Sequence, residues 1–229
     1  MIVRWGLDEL PATLAELGVD RPLLVASERW TSLDVPRAAH WSEVPSDRIE
    51  VPPGVDSILA VGGGSAIDTA QFASSTTGLP VISVPTTYSG AEWTPTFGIR
   101  SPDRRIQGAG GGAHLAAIVY EVELTLDLPR AVTVGTSMNA LAHCAEALYV
   151  RGRSPEGDEQ ALAGATLIAE YLPLAVDAPH DREARTELLR GASHAGQALA
   201  LAGLGLAHAM AQALGGLYGL PHGAMNALT

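Results

Sequence analysis

Gly62-Gly63-Gly64-Ser65 follows the apolar run Val55 to Val61 and precedes an alanine-rich stretch that carries Asp68. At such a strand-to-helix turn, glycines let the backbone approach a phosphate, the first helix amides point at it, and a serine adds a donor. The same four residues equally suit a tight turn that needs glycine only for positive φ. The arrangement is not GxGxxG, and a P-loop is excluded because the chain contains no lysine. Lysine Schiff-base chemistry is excluded on the same ground. A second turn, Pro85 to Pro95 (PTTYSGAEWTP), follows the apolar run Val81 to Val84. In a parallel sheet it shares the carboxyl edge with the glycine turn, so Thr86, Thr87 and Ser89 could reach the same ligand. On composition alone it reads as a hydroxyl-rich loop that caps its own amides.

Nitrogen donors cluster later in the chain. Asn139 and His143 are four residues apart in a helical pattern and share a face, while His208 and His222 are fourteen apart with a Gly-Leu-Pro turn before the second. Such groups can ligate a divalent cation or move a proton, and Glu146, one turn beyond His143, could orient its ring. Each histidine taken singly reads as well as a hydrogen-bonded core or surface residue. Fixed positive charge for an acidic substrate must come from arginine. Arg100, Arg104, Arg105 and Arg130 are the candidates, against their reading as ordinary surface residues.

The elements that must hold these residues change character along the 229 residues. Leu7 to Leu17 repeats apolar residues at helical spacing, and LLVA from Leu23, Val55 to Val61 and Val81 to Val84 are short buried strands, with a helix over Ala66 to Ser74. Glu28 to Pro53 is weakly patterned and holds one short strand or turn. Helices are expected over Ser137 to Val150, Pro155 to Leu172, Asp181 to Ala202 and Leu206 to Leu217. The fold class is an α/β N-terminal domain with a parallel, Rossmann-like sheet over 1–128, joined to an all-α domain over 129–229. A ligand cleft between the two is expected.

Composition narrows the partners. A net charge of -11 with no basic stripe argues against nucleic acid and anionic membranes. The uncharged stretch Gly191 to Leu220 contains His194, Gln197, His208 and Gln212, so it reads as a buried helical hairpin rather than a span. The start MIVRWGLDEL lacks the apolar core of a signal peptide, and the single Cys144 cannot form an intramolecular disulfide. A cytoplasmic setting follows as the expectation.

GGGSAIDTA, PTTYSGAEWTP, the Ala131 to Tyr149 stretch with GTSMNALAHCAEALY, and GLAHAMAQALGGLYGLPHG from Gly205 to Gly223 occur in the order found in iron-containing alcohol dehydrogenases. The sequence resembles that family over nearly its whole length, and its maleylacetate reductase branch most. The resemblance implies an NAD(H)- or NADP(H)-dependent oxidoreductase that delivers hydride to an activated double bond or carbonyl of a small acid in the interdomain cleft. It implies cofactor contacts from Gly63, Gly64, Ser65, Asp68, Thr86, Thr87 and Ser89. It also implies a metal set of Asn139, His143, His208 and His222, with His143, His208 and His222 as catalytic groups when no metal occupies them. The expected substrate is a dicarboxylate and the expected assembly a homodimer.

Several positions depart from the family pattern. Asn139 replaces an anionic ligand, which weakens Fe2+ or Zn2+ binding. Gln212 stands where relatives carry a second histidine near the nicotinamide, and Gln71 replaces a common lysine. Gln107 to Leu115 replaces a basic loop, and the chain stops just after His222-Gly223, so a truncated helical domain is expected. A metal-dependent alcohol dehydrogenase and a catalytically impaired nucleotide-binding or non-redox homologue are the alternatives. The turn after Leu23 to Ala26 offers Glu28, which would repel a 2′-phosphate and gives NADH a slight edge.

Overall fold

The computed structural model describes residues 1–103, 106–218 and 225, with no account of the side chains of 106, 212 and 215–218. The first of two compact units comprises Met1–Thr86 and Thr94–Glu121; the second comprises Thr87–Trp93 and the chain from Val122 onward. The chain therefore passes between units three times, and the last passage follows Glu121 rather than Leu128.

The first unit is built on a parallel sheet. Its strands are β1 (Ile2–Trp5), β2 (Pro22–Val25), β3 (Ala39–Trp41), β4 (Ser57–Gly62), β5 (Pro80–Pro85) and, after a hairpin, β8 (His114–Tyr120), in the order β1-β8-β5-β4-β2-β3. All five pairings are parallel. The inner strands are apolar at consecutive positions because both faces are covered, and every residue of β2 and β4 is buried. Helix α1 (Leu10–Leu17) packs on β1 and β8, and α2 (Gly64–Thr77) on β4 and β5. Each wholly buried Leu or Ile here is worth roughly 1.5 to 3 kcal/mol over its exposed state. Strands β6 (Phe97–Arg100) and β7 (Ile106–Gly110) pair antiparallel. The glycine-rich Gln107 to Gly110 segment read as loop from its sequence, yet it is strand, because Phe97 packs beside Phe72 of α2 at 6.1 Å and anchors the hairpin.

The second unit holds α3 (Arg130–Ala147), α4 (Pro155–Asp177), α5 (Arg182–Ala202) and α6 (Leu206–Tyr218). Helix α3 starts well before the expected Ser137, since the weak helix formers Thr133, Val134 and Gly135 are carried by tertiary packing, with Thr133 buried. Ser154 and Asp181 cap α4 and α5 by accepting from Gly157 and Ala184 amides at 3.0 Å. The interior relies on small residues that let helices close up. A β-carbon on Gly164 would stand 2.9 Å from Cys144 Sγ and 3.0 Å from the Ala195 backbone nitrogen. Gly164→Val should therefore cost about 2 kcal/mol or more through overpacking. Urea unfolding followed by far-ultraviolet circular dichroism checks this, and an unchanged midpoint contradicts it.

Candidate functional site

In the first unit, two turns meet at the carboxyl ends of β4 and β5. The Thr86 amide donates to the Gly62 carbonyl at 3.0 Å, fixing one turn against the other. Gly62 has φ of +152°, and a β-carbon there would come within 2.8 Å of Ala66 Cβ, so this position needs glycine. Gly63 is the N-cap of α2 with extended backbone, and Gly64 and Ser65 begin the helix. No side chain caps α2, as none caps α1 or α3, and the Ala66 amide turns back to the Gly63 carbonyl at 3.0 Å, so an external acceptor would meet the amides of Gly64 and Ser65. Thr86 is buried.

Asp68 sits one turn into α2, with the Gly98 position of β6 close to its carboxylate. Desolvation pushes its carboxyl up to about 7, against the opposing influence of the Arg100 charge and the Gly98 amide. Arg100, a candidate carboxylate clamp from the sequence, is thus within electrostatic reach of Asp68. Gln71 is fully buried and donates to the Thr94 carbonyl at 2.9 Å. Arg104 and Arg105 lie outside the described residues, and Arg130 is exposed at the start of α3.

In the second unit, the loop 87–93 lies against α3. Asn139 Nδ2 donates to the Ser89 carbonyl at 3.1 Å and stands 2.9 Å from His143 Nε2. His143 Nε2 is also 3.3 Å from the Ser89 carbonyl. One nitrogen cannot accept from the amide and donate to the carbonyl at once. The shorter contact, with an amide whose other hydrogen already serves Ser89, makes His143 Nε2 the acceptor and puts its proton on Nδ1.

The His143 and His208 rings stack at 4.3 Å and 14°. His208 Nδ1 is 2.7 Å from Glu146 Oε2, and the Glu146 carboxylate also accepts the backbone amides of Gly205 (2.9 Å) and His208 (3.0 Å). Desolvation would raise the Glu146 carboxyl, but these two amides and the His208 ring outweigh it and hold it below its ordinary value. His208 is lowered, chiefly by desolvation and against the pull of Glu146, so the contact joins a carboxylate to a neutral imidazole whose Nδ1–H donates. Glu146 therefore serves His208, not His143 as its spacing suggested. The Thr87 and Ser89 hydroxyls are buried and have no hydrogen-bond partner among the described residues, leaving two donors open to a ligand.

The structure thus gathers Ser89, Asn139, His143 and His208 in one unit, and Gly63, Gly64, Ser65, Asp68 and Thr86 in the other. Thr87 falls with Ser89. His222 lies outside the described residues, as does the Gln212 side chain. Sequence reading missed Arg185, whose side chain is 1% exposed. Its signal was visible: it shares the apolar face of α5 with Leu188, Leu189 and Ala192.

Residues 52–118 match the family described as iron-containing alcohol dehydrogenase, and residues 133–229 match the C-terminal part of the Fe-containing alcohol dehydrogenase family. Maleylacetate reductase 1 of Cupriavidus pinatubonensis is 33% identical over 96% of this chain and 67% of its own length. The chain belongs to the iron-containing alcohol dehydrogenase family. Among solved structures, maleylacetate reductase of Agrobacterium tumefaciens is 29% identical with a TM-score of 0.85, covering 98% of this chain and 70% of that one. Sulfoacetaldehyde reductase of Bifidobacterium kashiwanohense, solved in complex with NAD+, shares the fold at 22% identity and a TM-score of 0.83, over 99% of this chain and 72% of that one. The chain spans from about half to two thirds of the length of the curated relatives it matches.

The family's iron is a poor fit to the described donors. Asn139 turns its amide nitrogen, not its oxygen, toward His143, and so engages the lone pair that a cation would need. Stacked rings also send the in-plane lone pairs of His143 and His208 along near-parallel planes rather than toward one point. Among the described residues, no group of three His, Cys, Asp or Glu is arranged to hold a metal. No helix of the described residues is long and apolar enough to cross a membrane.

Asp68 gives a pH test. Its carboxyl binds a proton up to about pH 7 when folded and to about pH 4 when unfolded, so stability falls as pH rises between these values. The penalty is complete above pH 7. Asp68→Asn should raise the melting temperature at pH 8 and raise it less at pH 5; equal shifts at both pH values would contradict the assignment.

Proposed function

We propose that the chain is an NAD(P)H-dependent reductase of a small carboxylate-bearing substrate, with maleylacetate as the reference substrate. The observation that carries this reading is the start of α2 behind the glycine turn, with no side-chain cap and with the Gly62 carbonyl tied to the Thr86 amide at the end of β5. Similarity to the maleylacetate reductases and the NAD+ complex of a structural neighbour support it.

When bound, the dihydronicotinamide supplies a hydride. Gly63, Gly64 and Ser65 would hold the pyrophosphate through backbone amides and a hydroxyl, and Asp68 and Thr86 would make further contacts to the dinucleotide. Glu28 follows β2, is exposed, and carries a charge that would repel a 2′-phosphate, which favours NADH over NADPH. Thr87 and Ser89 offer hydroxyl donors. His208 is held as the Nδ1–H tautomer by Glu146, which puts the basic lone pair of its ring on Nε2, while Asn139 fixes the His143 ring. His222 joins the proposed set by sequence alone, and a homodimer and a cytoplasmic setting belong to the same reading.

Fluorescence titration of the folded chain should give saturable binding, tighter for NADH than NADPH, and NADH should be oxidised when maleylacetate is added. Absence of binding to well-folded protein rejects the cofactor assignment. Elemental analysis should find iron and zinc well below one equivalent, and Asn139→Asp, which replaces the amide donor by an anionic oxygen, should raise that content. Full occupancy in the parent chain would overturn the reading of Asn139 as a hydrogen-bond donor.

A further inference from the structure

Arg185 is the largest wholly buried side chain, yet it makes no carboxylate ion pair among the described residues. Its guanidinium bonds only to neutral acceptors: Nε donates to the Pro179 carbonyl at 2.9 Å, and Nη1 to Thr133 Oγ1 at 2.9 Å and to the Tyr88 hydroxyl at 3.1 Å. A buried cation of this kind disfavours folding compared with a well-packed apolar side chain, so the geometry it imposes is its main effect. That geometry fixes Tyr88, the neighbour of Ser89. Tyr88 is itself wholly buried, and its amide donates to Thr136 Oγ1 at 3.3 Å. Farther along the loop, Gly90 has φ of +74° and packs on Gly196 of α5, where a β-carbon would strike the Trp93 ring at 2.3 Å. The loop is thereby held on both sides of Ser89, at Tyr88 and at Gly90, and the group between them is the Ser89 carbonyl that receives Asn139.

We infer that Arg185 is a positioning residue: through the Tyr88 hydroxyl it sets the Ser89 carbonyl, which in turn orients Asn139 and His143 for the reduction. The role in turnover rests on the proposed reductase reading, whereas the tether to the loop does not. This assigns a function to an arginine whose bonds all go to neutral acceptors.

Tyr88→Phe deletes only the hydroxyl, and Arg185→Met deletes the donor. Hydrogen exchange followed by mass spectrometry should show amides 87–93 exchanging at least tenfold faster in Tyr88→Phe, with those of α4 and the rest of α5 within twofold of the parent. In the same variant, turnover with NADH and maleylacetate should fall at least tenfold while the NADH dissociation constant moves less than threefold. Arg185→Met should match it in both measurements. If Arg185→Met fails to fold, Tyr88→Phe alone decides. Unchanged exchange in the loop overturns the tether, and faster exchange with unchanged turnover overturns the positioning role. A parent chain that neither binds NADH nor turns over rejects the reductase reading instead, with the exchange result still deciding the tether.

Discussion

The bond from Asn139 Nδ2 to the Ser89 carbonyl joins a loop to a helix, and the candidate chemistry of the helical unit takes its orientation from it. An aspartate at position 139 would set a carboxylate against that carbonyl with no proton between them at neutral pH. An asparagine has two hydrogens, one for Ser89 and one for His143 Nε2. The substitution that looks from sequence like a lost metal ligand is, in the fold, a gained donor. A site of this kind works through hydrogen bonds and neutral imidazoles in a buried setting, where each unmet donor is costly and each met one is directional.

The electrostatics of the two units differ accordingly. Around α2, the helix start carries the positive end of the helix dipole with no lysine beside it, and Asp68 is partly neutralised by its own desolvation. Around α3, the Glu146 carboxylate keeps its charge because three donors converge on it, and it fixes the tautomer of His208 rather than charging it. Two carboxyl groups are thus pushed in opposite directions by their surroundings. Hydrogen-bond donors decide the outcome for Glu146, and burial decides it for Asp68.

Much of the fold was legible in sequence because consecutive apolar positions mark strands covered on both faces. Leu23, Ile58 and Val81 head runs that became neighbouring strands of one parallel sheet. The hairpin over Gln107 was not legible, since its glycines carry no strand signal and a distant aromatic contact stabilises it. The turn before α2 and the Asn139–His143 pair were readable from spacing alone, but their partners were not. Glu146 lies one turn from His143 in sequence and yet bonds His208, because the first turn of α6 and the Gly205 before it bring two amides and that ring onto the carboxylate. Arg185 was overlooked although its spacing with Leu188 and Leu189 puts it on an apolar face, since the partner that fixes its guanidinium, Tyr88, lies 97 residues away.

Whether Asn139 acts as a donor to His143 decides the organisation of the site. Long-range proton–nitrogen correlation spectra of the imidazole rings report the tautomer of each histidine directly. At neutral pH, His143 and His208 should both appear as neutral rings protonated at Nδ1, an uncommon form for two histidines in one site. A His143 ring protonated at Nε2 would mean that it donates to Ser89 and does not receive Asn139, and the proposed organisation of the site would be wrong.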